Sequence, residues 1–549
     1  MSTGSTGARP RPVLAPAYGA TITSLLDASA ARFCDRVALV DGNERITYTE
    51  LRDRSLRAAA GLRRLGVRPG DRVAVWMPNR AEWAIAFFAA VRAGAVVVPV
   101  NTGLRTAEAE YQIGQSGASL VITVAEHRSR DLAADALEIA RQLPGTPSVV
   151  TVDQPVDGAI AWSALIEMAS PEDTADLPTI DPDNPVIVLY TSGTTGLPKG
   201  AVHTHRFLPT LLDAVVRLRL GPDDVVVLYL PLFHVYALLA GLVLMTAVGA
   251  RIVLMPRFDA AESLALMAAE HATVVYGVPT TYIDQLDHPG IASADLSHVR
   301  VCVTPFSRDL ADRIRARFGP CVNCFGMTET ASMAFLPTLD DPPDVALDTV
   351  GTPLTGLGAR IVDEATGEVL PAGSTGLLQL RGPLVTIGYH DKPEETARAL
   401  GADGWFRTGD IASIDDAGRL RFVGRSGDHF KVGGEIVDPV EVETALQSYP
   451  GVARAAVVGV PDERLGRVGH AWVLPRPGVE MDVAILLQHA SSLLARYKVP
   501  RAVAVVDELP TTPSGKIQKF RLLEAMTATP ADVGGGPDQS PIGPPGKAR

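Results

Sequence analysis

Short apolar strands alternate with helical stretches along most of this chain, and that alternation narrows its folds more than any other feature. "RVALVDGNERITYTEL" reads as a strand, a turn at Asp41-Gly42 and a second strand, running into a helix from Tyr48 to Leu65. "DRVAVWMP" is a strand, "AEWAIAFFAAVRAG" a helix and "AVVVPV" a strand again. Further strands are expected at "SLVIT", "VIVLYTS", "DVVVLYLP", "ARIVLM" and "TVVYGVP". Strands separated by helices favour an α/β architecture whose sheets are largely parallel. No short-period repeat is visible.

A chain of 549 residues is too long for one hydrophobic core, so at least two domains are expected. The texture changes from Gly351. "GARIVDEATGEVLPAGSTGLLQLRG" is hairpin-like, and "LRFVGRSGDHFKVGGEIVDPVEVETAL" runs from a strand through a Gly-rich turn into a helix. The expected organisation is a loose N-terminus over 1–17, then a large domain of layered mixed sheets and helices over 18–424. A hinge at 425–428, a small mobile α+β domain over 429–529 and a disordered tail over 530–549 follow.

The formal net charge of −12 argues against nucleic acid or an anionic membrane as partner, since both select clustered Lys and Arg. Four cysteines are too few for a disulfide scaffold, and the start lacks the apolar core of a signal peptide, so a reducing cytoplasm is expected. Cys321-Val322-Asn323-Cys324 is a lone CxxC without a second ligand pair, which favours two small, partly buried side chains over a metal site. The uncharged run Val225–Ala250 is long enough for a membrane span. Pro231 and His234 interrupt it, so a strand, a turn and a buried helix near Tyr236–Ala247 are expected.

Four motifs carry chemistry. Tyr190-Thr191-Ser192-Gly193-Thr194-Thr195-Gly196-Leu197-Pro198-Lys199-Gly200 follows an apolar strand. Glycines and small hydroxyl residues let N–H and O–H donors crowd phosphate oxygens, and Lys199 adds a mobile cation. A Walker loop would need Gly-Lys-Ser/Thr, which is absent. Phe325-Gly326-Met327-Thr328-Glu329-Thr330 offers an aromatic face for a purine and a carboxylate for Mg²⁺; a helix start with an acidic first turn is the plainer alternative. In Gly404-Trp405-Phe406-Arg407-Thr408-Gly409-Asp410, the aspartate can accept from both ribose hydroxyls or simply close a turn. Arg425 follows fifteen residues later. Lys516, in Pro513-Ser514-Gly515-Lys516-Ile517, matters only if the small domain folds over a nucleotide.

In this order and spacing, over roughly residues 20–525, the motifs resemble the adenylate-forming superfamily of acyl-CoA synthetases, beetle luciferases and nonribosomal adenylation domains. Leu230-Pro231-Leu232-Phe233-His234-Val235-Tyr236 and Gly433-Gly434-Glu435 bring it nearest the coumarate-CoA and fatty-acyl-CoA ligase branch. The resemblance implies an acid–thiol ligase using ATP, Mg²⁺ and coenzyme A in two half-reactions. A carboxylate first attacks the α-phosphate of ATP to give acyl-AMP and pyrophosphate, and a thiol then takes the acyl group. It implies that Lys199 and the hydroxyls of Thr191, Ser192, Thr194 and Thr195, set among Gly193 and Gly196, handle the β- and γ-phosphates. Glu329 would hold Mg²⁺. Phe325, flanked by Gly326 and Thr328, would meet adenine, and Asp410 and Arg425 the ribose. Lys516 would bridge carboxylate and α-phosphate. The small domain would then rotate about 425–428, replacing Lys516 with the Gly433-Gly434 loop beside a pantetheine channel. His234 would gate the acyl group.

Three departures stand against that pattern. Where the family has a Gly/Ala-rich turn, this chain has Val303-Thr304-Pro305-Phe306-Ser307-Arg308. Proline fixes φ and removes a donor, and Phe306 and Arg308 are bulky. Gly427 replaces a hinge Lys or Arg, and Leu377 replaces a Glu. They leave open a ligase that is weak in adenylation and mainly thioesterifies preformed acyl-AMP. An enzyme loading a carrier protein in trans is also open, as is a homodimer. The segments after His234 and "GVPTTYIDQL" are mostly apolar, which suggests a bulky hydrophobic acid.

Overall fold

The computed structural model describes residues 21–191, 198–304, 308–364, 366–426, 430–432, 435–462, 465–494, 496–511 and 517–527. The chain divides after Ser426 into two compact units.

In the larger unit the expected alternation becomes two big sheets. One runs, in spatial order, Cys321–Asn323, Val301–Thr304, Val274–Tyr276, Val225–Leu228, Arg251–Leu254, Val37–Asp41 and Glu44–Thr47. Every pairing is parallel except the last, the hairpin turning at Gly42 with φ +56°. The other runs Gly388–Tyr389, Lys199–Thr204, Pro185–Thr191, Val96–Pro99, Arg72–Trp76, Ala118–Thr123, Ser148–Thr151 and Ile160–Ala161. It is parallel from Pro185–Thr191 onward and antiparallel at the other edge.

Helix Ala81–Arg92 touches strands of both sheets and is buried nearly all round, as a helix without a polar face must be. Its one buried cation, Arg92, donates to Asp27 at 3.2 Å and to Ser55 at 3.0 Å. Helix Tyr48–Arg64 begins with a capping box: Glu50 N–H donates to Thr47 Oγ1 at 3.2 Å, and Thr47 N–H donates to Glu50 at 2.8 Å. A third sheet, wholly antiparallel, joins Gly358–Val362, Thr375–Arg381, Phe406–Ile414 and Leu420–Arg425.

The run Val225–Ala250 folds as a strand, a turn and a buried helix, but the helix is not regular. Tyr236–Leu244 is a π-helix, followed by a short α-turn, Met245–Val248. Leu228 packs where a Cβ on Gly241 would stand, at 2.4 Å. Among the described residues no helix is long and apolar enough to cross a membrane.

The smaller unit is α+β. Val452–Asp462 and Gly466–Pro475 form a long antiparallel hairpin. Helix Val483–Leu493 then leads to Ala502–Val505, which adds parallel to Gly466–Pro475. Helix Pro439–Gln447 packs on the hairpin, and Val442, Leu446, Val457, Val473 and Leu486 are core residues. The fold class expected from sequence, a large mixed α/β domain with a smaller α+β one, is the fold observed.

Candidate active site

The site is organised around one strand, Lys199–Thr204. It pairs antiparallel with Pro185–Thr191, so Thr191 stands opposite Lys199. Ser192, Gly193, Thr194, Thr195 and Gly196 lie outside the described residues, as do Gly433, Gly434 and Lys516.

Both flanks of the hairpin are tied to helix Thr106–Ser116. Tyr111 donates to the Pro198 carbonyl at 3.1 Å. Gln115 accepts from the Tyr190 hydroxyl and donates to the His390 carbonyl at 2.8 Å. These ties hold the backbone that presents Lys199, and motif reading alone did not single out either residue.

The other edge of Lys199–Thr204 takes Gly388–Tyr389, with Ala201 opposite Tyr389. Tyr389 donates from its hydroxyl to Glu329 Oε1 at 2.9 Å, and Lys199 Nζ lies 5.5 Å from the centre of its ring. Lys199 and Glu329, 130 positions apart in sequence, are thus joined through one phenol.

Glu329 sits in a short 3₁₀ turn, Thr328–Thr330, not at the start of an α-helix. Its backbone is fixed by neighbours of the same strand. His203 donates from Nε2 to the Thr328 carbonyl at 2.7 Å, and Thr386 N–H donates to the Glu329 carbonyl at 2.8 Å. Burial pushes the His203 imidazole down to about 4, so it is neutral, and the acceptor fixes its proton on Nε2. The chain then bends back through Ala331 and Ser332, both at positive φ. That bend brings the Ser332 carbonyl within 1.5 Å of where a Cβ on Gly326 would be, so only glycine fits there.

The donors present suit magnesium. Glu329 is 8% exposed, one oxygen is held by Tyr389, and the other has no hydrogen-bond partner among the described residues. A hard cation takes such an oxygen readily. Lys199 makes no ion pair among the described residues, which leaves its charge for an anionic ligand.

Phe325 is buried, edge-on to Phe335 at 5.9 Å and tilted against Phe422 at 5.9 Å. Phe422 is 44% exposed and offers a second aromatic surface beside it. Asp410 is buried and lies directly opposite Arg425 in the antiparallel pair.

The turn carrying His234 is held by Asn79, which donates to the Leu228 and Leu230 carbonyls at 3.1 and 2.9 Å and accepts from Leu232 N–H at 2.8 Å. The His234 ring stands 4.8 Å from Phe233, and burial pushes it down to about 4. Tyr236 donates to the Val303 carbonyl at 2.7 Å.

Of the altered turn, Pro305, Phe306 and Ser307 lie outside the described residues. Thr304 ends its strand fully buried. Arg308 is exposed, bonded to Asp348 at 2.9 Å and Asp312 at 3.3 Å. Leu377 lies within the third sheet, opposite Val362 and Ile411. Cys321 and Cys324 are buried free thiols, each pushed up to about 12 by desolvation. Among the described residues no group of three or more metal-ligating side chains gathers.

A family model described as AMP-binding enzyme matches residues 26–390, and one described as AMP-binding enzyme C-terminal domain matches 441–516. The chain belongs to the AMP-binding enzymes. A 3-[(3aS,4S,7aS)-7a-methyl-1,5-dioxo-octahydro-1H-inden-4-yl]propanoyl:CoA ligase of Rhodococcus jostii (strain RHA1) is 36% identical over 522 residues, covering 92% of this chain and 98% of the relative. A feruloyl-CoA synthase of an Amycolatopsis species is 38% identical over 490 residues, covering 88% and 94%. ATP-bound MatB from Rhodopseudomonas palustris shares the fold with a TM-score of 0.82 at 32% identity, covering 92% and 99%. This AMP-binding enzyme is therefore a member of the adenylate-forming superfamily on its acyl-CoA synthetase side, an AMP-forming acid–thiol ligase that binds ATP and AMP.

Proposed function

We propose that this AMP-binding enzyme converts a bulky hydrophobic carboxylic acid to its coenzyme A thioester through an acyl-AMP intermediate. The observation that carries the reading is the Lys199–Tyr389–Glu329 assembly beside the hairpin end. It offers a cation with no ion pair among the described residues and one oriented carboxylate where a polyphosphate would lie.

In the first half-reaction the substrate carboxylate attacks the α-phosphorus and pyrophosphate leaves in line. Lys199 would neutralise charge building on the leaving pyrophosphate. The Thr191, Ser192, Thr194 and Thr195 hydroxyls, with the Gly193 and Gly196 backbone, would add donors. Magnesium, when bound by Glu329, would draw charge from the β- and γ-phosphate oxygens. Phe325 would border adenine, and Asp410 with Arg425 would hold the ribose. Lys516 would bind the carboxylate and α-phosphate. In the second half-reaction the thiol attacks the acyl carbon and AMP departs, after rotation about 425–428 exchanges Lys516 for the Gly433-Gly434 loop.

A bulky acid is favoured by the wall that follows His234. The π-helix Tyr236–Leu244 carries no charge. Two relatives are named for acids bearing ring systems, an indane-type propanoate and ferulate. A panel of aromatic, polycyclic and fatty acids, read separately for pyrophosphate release and thioester formation, tests the reading. Turnover of small dicarboxylates in preference to ring acids would overturn it.

A second reading is a ligase weak in adenylation that mainly consumes preformed acyl-AMP. It rests on Pro305 and Phe306, since Arg308 is held at the surface by Asp348. Pyrophosphate exchange with the cognate acid separates the two readings, and offering carrier proteins beside coenzyme A identifies the acceptor.

A further inference from the structure

Lys199 and Glu329 have assigned roles in the proposed mechanism, whereas Tyr389 between them has none. An ammonium and a carboxylate brought near each other tend to pair, and a paired couple has less charge to offer a phosphate or a cation. Here neither makes an ion pair among the described residues. A neutral phenol engages both: its hydroxyl donates to Glu329 at 2.9 Å, and its ring faces the Lys199 ammonium at 5.5 Å.

The backbone holds that phenol firmly. Tyr389 is the strand partner of Ala201, two residues after Lys199, so its side chain shares a face with Lys199. Ala201 is fully buried and adds only a methyl group under the ring. Tyr389 N–H donates to Thr396 Oγ1 at 2.9 Å, and the Thr396 methyl fills the space a Cβ on Gly388 would need, at 2.7 Å. Three residues earlier, Thr386 fixes the Glu329 carbonyl. Ring and ammonium are therefore carried on neighbouring strands, and the acceptor's turn is tied beside them through Thr386.

We propose that Tyr389 is a positioning residue of the adenylation site: its hydroxyl aims the Glu329 carboxylate, its ring seats the Lys199 ammonium, and together they keep the two from pairing. The proposal rests on the reading of Glu329 and Lys199 as the metal- and phosphate-binding groups.

The test is calorimetric titration of the full-length protein with ATP, without any carboxylic acid, once in chelator and once with Mg²⁺. It reads the gain in ATP affinity that Mg²⁺ brings, with no turnover. Y389F is expected to keep the chelator affinity within about 2-fold, because the ring remains. The Mg²⁺ gain is expected to fall roughly 10-fold, toward the value of E329Q, and to fall no further in the Y389F/E329Q double variant. Y389L is expected also to weaken binding in chelator, by about 3- to 10-fold, through loss of the cation–π contact. Y389F removes a single oxygen from a half-buried side chain, and its chelator affinity reports that the sample is folded.

A wild-type Mg²⁺ gain in Y389F beside a lost gain in E329Q would overturn the role of Tyr389 and leave the reading of Glu329 standing. A wild-type gain in E329Q itself would overturn that reading. A further loss in the double variant would show Tyr389 acting elsewhere, and would also overturn the proposal.

Discussion

Asp410 and Arg425 face each other directly across neighbouring antiparallel strands, although fifteen positions separate them in the chain. Gly409, at φ +73°, precedes the aspartate, and its carbonyl accepts from Ser426 N–H at 2.8 Å, pinning the last residue of the larger unit to this strand. The carboxylate proposed to hold the ribose thus stands at the edge of the unit. Asp410→Asn is expected to weaken ATP binding by about 1.5–3 kcal/mol, the range for hydrogen bonds to charged groups. Calorimetry measures it, and unchanged affinity would remove Asp410 from the site.

Lys199→Ala separates the half-reactions. In the proposed mechanism the lysine serves the departing pyrophosphate, which has left before the thiol attacks. Pyrophosphate exchange is expected to fall by about 10²–10³-fold, as for loss of one preorganised charge-stabilising donor. Thioester formation from synthetic acyl-AMP should stay within a few-fold of wild type. Equal loss in both assays would show that Lys199 does more than handle phosphate.

Gly326→Ala is expected to damage the fold before the chemistry. A methyl group there would lie 1.5 Å from the Ser332 carbonyl, and backbone cannot yield as a flexible side chain does. The cost should be no less than the ~1–3 kcal/mol of an overpacked core site. A lowered melting temperature, measured without ligands, is the readout. Unchanged melting would mean that the bend at Ala331 and Ser332 adapts freely.

Stability should fall on mild acidification. Burial pushes both His203 and His205 from 6.5 down to about 4. Their neutrality serves the fold, since His205 Nδ1 accepts from Ile22 N–H at 3.2 Å. Between pH 6.5 and about 4 the unfolded chain binds protons at these positions that the folded chain does not. Their contribution is therefore whole above pH about 6.5 and is lost progressively on descent toward 4, at roughly 3 kcal/mol each. Urea midpoints between pH 5 and 7 should fall more steeply with acid in the wild type than in the H203Q/H205Q variant. Parallel curves would refute the assignment.

The alternation of strands and helices was legible because each element carries its own signal: apolar strand runs, a turn at Asp41-Gly42, a helical stretch from Tyr48. Lys199 and Glu329 were legible as members of motifs. What joins them was not. Tyr389 enters the sheet from far along the chain and meets Lys199 and Glu329 only through strand pairing and a bend. A motif scan weighs segments one at a time, so a residue whose role lies between two segments passes as an ordinary aromatic. His203, Tyr111 and Gln115 escaped for the same reason, each acting on a carbonyl or side chain distant in sequence. The helix after His234 was expected, but its π geometry was not, because residues apolar all round give no period from which to read the turn.

The hairpin that ends in Thr191 and Lys199 sets a rule for what this loop can become. Side chains along a strand alternate between faces, so the side on which Lys199 emerges depends on whether the strand keeps its register with Pro185–Thr191 and Gly388–Tyr389. A shift of one position along Lys199–Thr204 would turn the lysine to the opposite face and leave Tyr389 without its cation. A shift of two would restore the face. Parity therefore constrains insertion and deletion at this edge, and the strand's tolerance to length change should be even-numbered, whatever acid the enzyme takes.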